Sequence, residues 1–98
     1  MYAIVTRRRM NQPRMEETRA LGRSEFFPKM QQAPGFVSFS LIRGEDGVNT
    51  AVILFQSKED AEGFRGEAEA WTRKLDEHGH QFEGQSVGEV VEHVRAGT

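Results

Sequence analysis

Three histidines, one tryptophan and a run of arginines carry most of the chemistry that this chain offers. His78 stands at the end of an apolar helical stripe. There it can act as a general base, or simply interact with the helix C-terminus, which favours an imidazolium. His78, His80 and His93 together offer imidazoles for a metal, but the first two straddle a helix stop at Gly79, so no metal site is expected. Arg7, Arg8, Arg9 and Arg43 can gather in a sheet, where one guanidinium would hold a carboxylate or steady an enolate. Alternation sets Arg8 on the face opposite its neighbours. Arg7 and Arg9 share a face with Val5, and Arg9 is the arginine expected at a site. Cysteine is absent, which excludes disulfides, thiolate nucleophiles and thiolate metal ligands. No phosphate-binding glycine loop, nucleophile elbow or dinucleotide fingerprint is present.

The elements that must position these groups are organised around residues 50–79. Ala51 to Phe55 is five apolar residues long, the pattern of a strand buried on both faces. Ser57 and Asp60 open a helix as a capping pair. Ala61, Phe64, Ala68, Trp71, Leu75 and His78 then follow at steps of three and four, with Gly79 as the C′ residue. Residues 2–10 read as a strand, with Tyr2, Ile4 and Thr6 on one face and Ala3 and Val5 on the other. Pro13 starts a helix that continues to about Ala33 on the stripe Met15, Thr18, Gly22, Phe26, Met30, Ala33. Pro28 predicts a kink or break between Ser24 and Phe27. Residues 36–43 and 48–56 form a hairpin around Gly44-Glu45-Asp46-Gly47, with Phe36 expected on the face opposite Phe39. The C-terminal stretch predicts two short strand segments, 81–85 and 87–94.

The order β-α-β-β-α-β, as one domain over residues 1–98, predicts an α+β ferredoxin-like plait with an antiparallel sheet. The helices cover one face of such a sheet. The strand from Ala51 is apolar on both, so the second face is expected to pack on a second copy, as a homodimer. Thirteen basic and fifteen acidic residues leave a net charge of −2, with no basic surplus to recruit nucleic acid. Hydrophobic residues make up 37% and no run is long enough for a membrane span. The four apolar residues before the arginine run are too few for a signal peptide, so the expected location is the cytoplasm.

Ala33-Pro34-Gly35-Phe36 entering a strand resembles a segment of the antibiotic-biosynthesis-monooxygenase (ABM) domains. So does Phe55-Gln56-Ser57 followed by Lys58-Glu59-Asp60-Ala61 and a helix with an aromatic one turn in. With the element order, the resemblance covers nearly the whole chain. It implies two plaits joined through their sheets into a dimeric α+β barrel. It also implies a small-molecule pocket between helices and sheet, in cofactor-independent oxygenases of quinols and polyketide aromatics or in haem-degrading enzymes. Haem is not expected here. Counting from Ser57-Lys58, the tryptophan position of the haem degraders falls on Phe64, their ligand position falls near Lys74, and their first-strand asparagine is missing. The implied pocket is walled by Phe26, Met30, Phe64 and Trp71, needs no cofactor, and takes a flat aromatic substrate. The alternatives are a non-catalytic module, or those four side chains filling the space as plain core.

Overall fold

A computed structural model describes residues 1–97. Strands β1 (Tyr2–Arg9), β2 (Phe36–Arg43), β3 (Val48–Phe55) and β4 (Gln81–Glu89) make one antiparallel sheet in the order β2-β3-β1-β4. That is the ferredoxin-like plait. β1 is central because it pairs with both β3 and β4, from Tyr2 opposite Phe55 and Glu89 to Arg9 opposite Val48 and Gln81. β4 is one strand and it stops at Glu89, short of the predicted 94. Its partner runs out there: Val90 makes one last bond to the carbonyl of Met1 (2.8 Å). The β-branched residues Val91 and Val94 beyond it are almost fully exposed. Propensity alone does not extend a strand that has no neighbour.

The first helical arm is continuous but changes pitch. A 3-10 turn at Gln12–Arg14 leads into α1 (Met15–Leu21), then a π-helical turn (Gly22–Phe26), then α2 (Phe27–Gln32). The predicted disruption is therefore a π turn, closed by the Phe27 N–H on the carbonyl of Gly22. Pro28 has no N–H to continue the regular ladder, and a wider turn absorbs the defect without breaking the rod. Met15, Thr18, Gly22, Phe26 and Met30 are all buried, as their stripe predicts.

The second arm is two helices, α3 (Lys58–Gly63) and α4 (Arg65–Glu77), where one was predicted. Ser57 caps the first through the Asp60 N–H (3.1 Å). The joint is Phe64, between Gly63 and Gly66, two residues that weaken any helix. Ahead of it Ala61 and Phe64 are buried; beyond it α4 has no buried residue in its thirteen. The helix stands off the sheet.

A bulge between Phe36 and Ser38 shifts the register of β2. Phe36 therefore joins Phe39 and Leu41 on the helix side, edge-on to Phe55 (6.1 Å), which corrects the face expected for it. Ala3, Val5, Val52, Leu54 and Ile42 are left on the other sheet face, with Ser38, Ser40 and Ser86 around them.

Candidate functional site

Half of the space between helices and sheet is solid. Phe26, Met30, Ile53, Phe55, Ala61 and Phe64 form the core, with Phe55 and Met30 essentially inaccessible. The other half is open. Because α4 leaves the sheet after Phe64, a cavity of about 820 Å³ lies under it, within the size range of small-molecule sites. Its floor is the helix-facing side of the sheet: Tyr2, Ile4, Thr6 and Arg8 from β1, and Asn49, Ala51 and Ile53 from β3. Its roof includes Ala68, Trp71 and Leu75, the later part of the stripe whose earlier part is core.

Trp71 stacks on Phe26 with ring centroids 4.9 Å apart and planes within 7°. The π turn makes this wall, since it brings Phe26 and Phe27 inward together; Phe27 meets Phe39 at 5.2 Å. Gly22 leaves room for both rings, and a methyl group there would touch Phe27 and Trp71 at 3.5 Å. Outside the wall, Lys29–Glu67 (3.3 Å) and Lys74–Glu25 tie α4 to the first arm.

Of the side chains expected at a site, Phe26 and Trp71 line the cavity. Met30 and Phe64 lie behind them in the solid core, Phe64 5.8 Å from Phe55. Neither polar candidate reaches it. Arg9 lies on the outer sheet face, half exposed, against the carbonyl of Asp46 (3.2 Å) and the carboxylate of Glu83 (3.4 Å). The arginine on the cavity face is Arg8, by the same two-residue alternation that sends Arg9 away. His78 ends α4 with its Nδ1 2.8 Å from Thr18 Oγ1, so its ring is occupied in a contact between helices.

His80, weighed from sequence only within a metal set that is not expected, is the most buried histidine, at 1% exposure. Its Nδ1 accepts the backbone N–H of Asn11 (2.9 Å). The neutral ring therefore carries its proton on Nε2, which donates to Thr18 Oγ1 (2.7 Å). Burial first, then the charges of His78, Arg8 and Arg14, push the His80 pKa down. The Thr18 hydroxyl also meets the Arg14 carbonyl (2.8 Å), which gives it three partners and fills its capacity. This cluster pins the start of α1 to the α4–β4 junction.

Arg8 is buried to 6% exposure. Its Nη1 donates to Asp76 Oδ1 (2.8 Å) and to the carbonyl of His80 (3.1 Å), while its guanidinium lies 5.6 Å from the Phe82 ring. Asn49, directly across the strand pair, is buried to 4%. Sequence reasoning passed over Asn49, although stepping back by twos from Ile53 through Ala51 puts it among apolar floor residues. Among the described residues no histidine lines the cavity, so the site does not fit a histidine-held haem, and no cluster of three or more His, Asp or Glu side chains is placed to hold a metal. Also among the described residues, no helix is long and apolar enough to cross a membrane.

No family model matches the sequence, and no curated protein is similar to it. Solved structures are similar over nearly the whole chain. A Nitrosomonas europaea protein named for the antibiotic biosynthesis monooxygenases superposes with a TM-score of 0.69 at 12% identity, covering 92% of this chain and 90% of that one. A dimeric ferredoxin-like protein from an uncultured marine organism gives 0.71 at 13%, covering 97% and 98%. The ActVA-Orf6 monooxygenase of Streptomyces coelicolor, in complex with nanaomycin D, gives 0.68 at 13%, covering 97% and 91%. At these identities it is the backbone that is shared. The fold of this chain is that of an ABM-like domain.

Proposed function

We propose that this protein is a cofactor-independent, monooxygenase-like enzyme for a small flat aromatic or quinol-type substrate. The observation that carries the reading is the cavity itself, an apolar chamber with the Phe26–Trp71 stack as one wall and the buried Arg8 in its floor. A planar ring fits against a rigid aromatic wall, and a guanidinium in a low-dielectric floor favours the ionised hydroxyl of a phenol or hydroquinone. Electron density from that oxygen activates the ring carbon toward dioxygen. One oxygen atom ends on the carbon, and the other leaves as water with two substrate hydrogens. Arg8 takes the polar role that the sequence suggested for Arg9. Nanaomycin D in the Streptomyces monooxygenase supports a small-molecule ligand in this fold.

The chain is proposed to act as a homodimer through the outer sheet face. Ala3, Val5, Val52 and Leu54 make an apolar centre there that its own helices do not cover, and the dimeric neighbour supports the same assembly. A second reading, a binding module without catalysis, is favoured by one observation: among the described residues no histidine stands at the cavity wall to serve as base. Oxygen consumption with a panel of hydroquinones and hydroxynaphthalenes separates the two. Uptake in proportion to protein supports the enzyme; quenching of Trp71 fluorescence by the same compounds without uptake supports the module.

A further inference from the structure

Among the described residues, two polar atoms in the cavity floor have no protein partner. Arg8 Nε and Asn49 Nδ2 are both shielded from solvent and neither has an acceptor within hydrogen-bond reach. The side chains face the same way from opposed positions on β1 and β3, and both border the cavity. Each orphaned atom is a donor. Native interiors leave few such groups unpaired, because stripping water from a donor without replacing its acceptor is unfavourable. The guanidinium is meanwhile fixed: Nη1 is bonded to Asp76 and to the His80 carbonyl. Asp76, the carboxylate paired with it, is 60% exposed.

We infer that Arg8 and Asn49 form a two-donor seat for a single acceptor oxygen of the ligand, a ring carbonyl or a phenolate. The inference rests on the aromatic cavity proposed above and gives it a direction. The ring lies along the Phe26–Trp71 wall and its oxygen enters the floor between β1 and β3. Two donors beside a fixed cation favour oxygenated, anionic aromatics. They add nothing to the binding of a plain hydrocarbon. Bound phenols ionise more readily, because the seat stabilises the phenolate more than the phenol.

The test uses 5-hydroxy-1,4-naphthoquinone and naphthalene as probes, with Trp71 as the fluorescence reporter. The absence of cysteine removes thiol addition to the quinone. The expected wild-type result is binding of the hydroxyquinone about tenfold or more tighter than naphthalene, with its phenolate absorbance appearing at lower pH in the complex than in buffer. Asn49→Leu, which removes one orphan donor and keeps the side chain's branching, is expected to raise the urea midpoint or leave it unchanged. The same variant is expected to weaken the hydroxyquinone about tenfold and leave naphthalene unaffected. Arg8→Lys keeps the charge but removes Nε, and is expected to lose the phenolate shift. A lowered midpoint in Asn49→Leu would mean that Asn49 serves an internal contact and would overturn the seat. So would equal weakening of both probes, or equal wild-type affinity for them, although the aromatic cavity would then stand. If neither probe binds, the cavity reading itself fails.

Discussion

Acidification is expected to destabilise this protein by way of His80. The ring is buried and neutral, and its pKa is pushed down by burial and by the neighbouring charges of His78, Arg8 and Arg14. In the unfolded chain it regains its ordinary value, about 6.5. Below that pH the unfolded state binds a proton that the folded state refuses. Stability contributed by the neutral ring is therefore complete above about pH 6.5 and falls as pH drops toward the lowered folded value. One proton sets the ceiling on the slope, about 1.4 kcal/mol per pH unit, or at most about 2 kcal/mol between pH 6.5 and 5. For a chain of this length that corresponds to a fall in urea midpoint on the order of 1–2 M. Protonation of the folded form is opposed by a definite contact as well, since Nδ1 would have to abandon the Asn11 N–H. The assay is urea unfolding followed by Trp71 fluorescence at half-unit steps from pH 7.5 to 5. The window stays above the range where Glu17 and Glu25 titrate, both held low by their hydrogen bonds to Arg14 and Lys74. His80→Gln can accept from Asn11 and donate to Thr18, and it should flatten the profile. A flat wild-type profile would refute the reasoning. So would a slope that survives in His80→Gln and disappears in His78→Gln.

Three further perturbations follow from the fold. Gly22→Ala should raise the melting temperature by the equivalent of about 0.5–1 kcal/mol, because helical backbone at that site suits alanine and the new methyl meets Phe27 and Trp71 at ordinary contact distance. Met30→Ala should lose about 2–5 kcal/mol in chemical denaturation, as expected for a side chain at 1% exposure in the solid half of the core. Val52→Lys should convert the proposed homodimer to monomer in sedimentation velocity, with the far-ultraviolet circular dichroism unchanged. A wild-type monomer at micromolar concentration would refute that surface as an interface.

The plait was legible because its determinants are local. The stripe from Met15 to Met30, the capping pair at Ser57 and Asp60, and the Gly44–Gly47 turn each act over a few residues, and each occurs where the residues place it. What escaped depended on register or on distant partners. Val37 sits in a bulge that no pattern announces, and it moves Phe36 to the other face. The break at Phe64 follows from two flanking glycines, yet its consequence, a helix lifted off its sheet, is a tertiary effect. The site was half legible. Apolar spacing brought Phe26 and Trp71 to one wall, whereas Arg8 lies in a run of three arginines that alternation alone does not assign to the helix side, and Asn49 is a polar residue ahead of an apolar strand segment. His80 acquires its role only from Asn11 and Thr18, more than sixty positions away.

The division of the helix–sheet layer into a solid half and an open half also bears on how such a protein can change over generations. Residues that hold the fold together, around Phe55 and Met30, touch no ligand; residues that would choose a ligand, such as Ala51, Thr72 and Leu75, have little packing to lose. Substitution in the open half therefore alters recognition at small expense in stability. A lineage built on this scaffold can explore new small molecules through that half of the layer while the other half continues to guarantee folding.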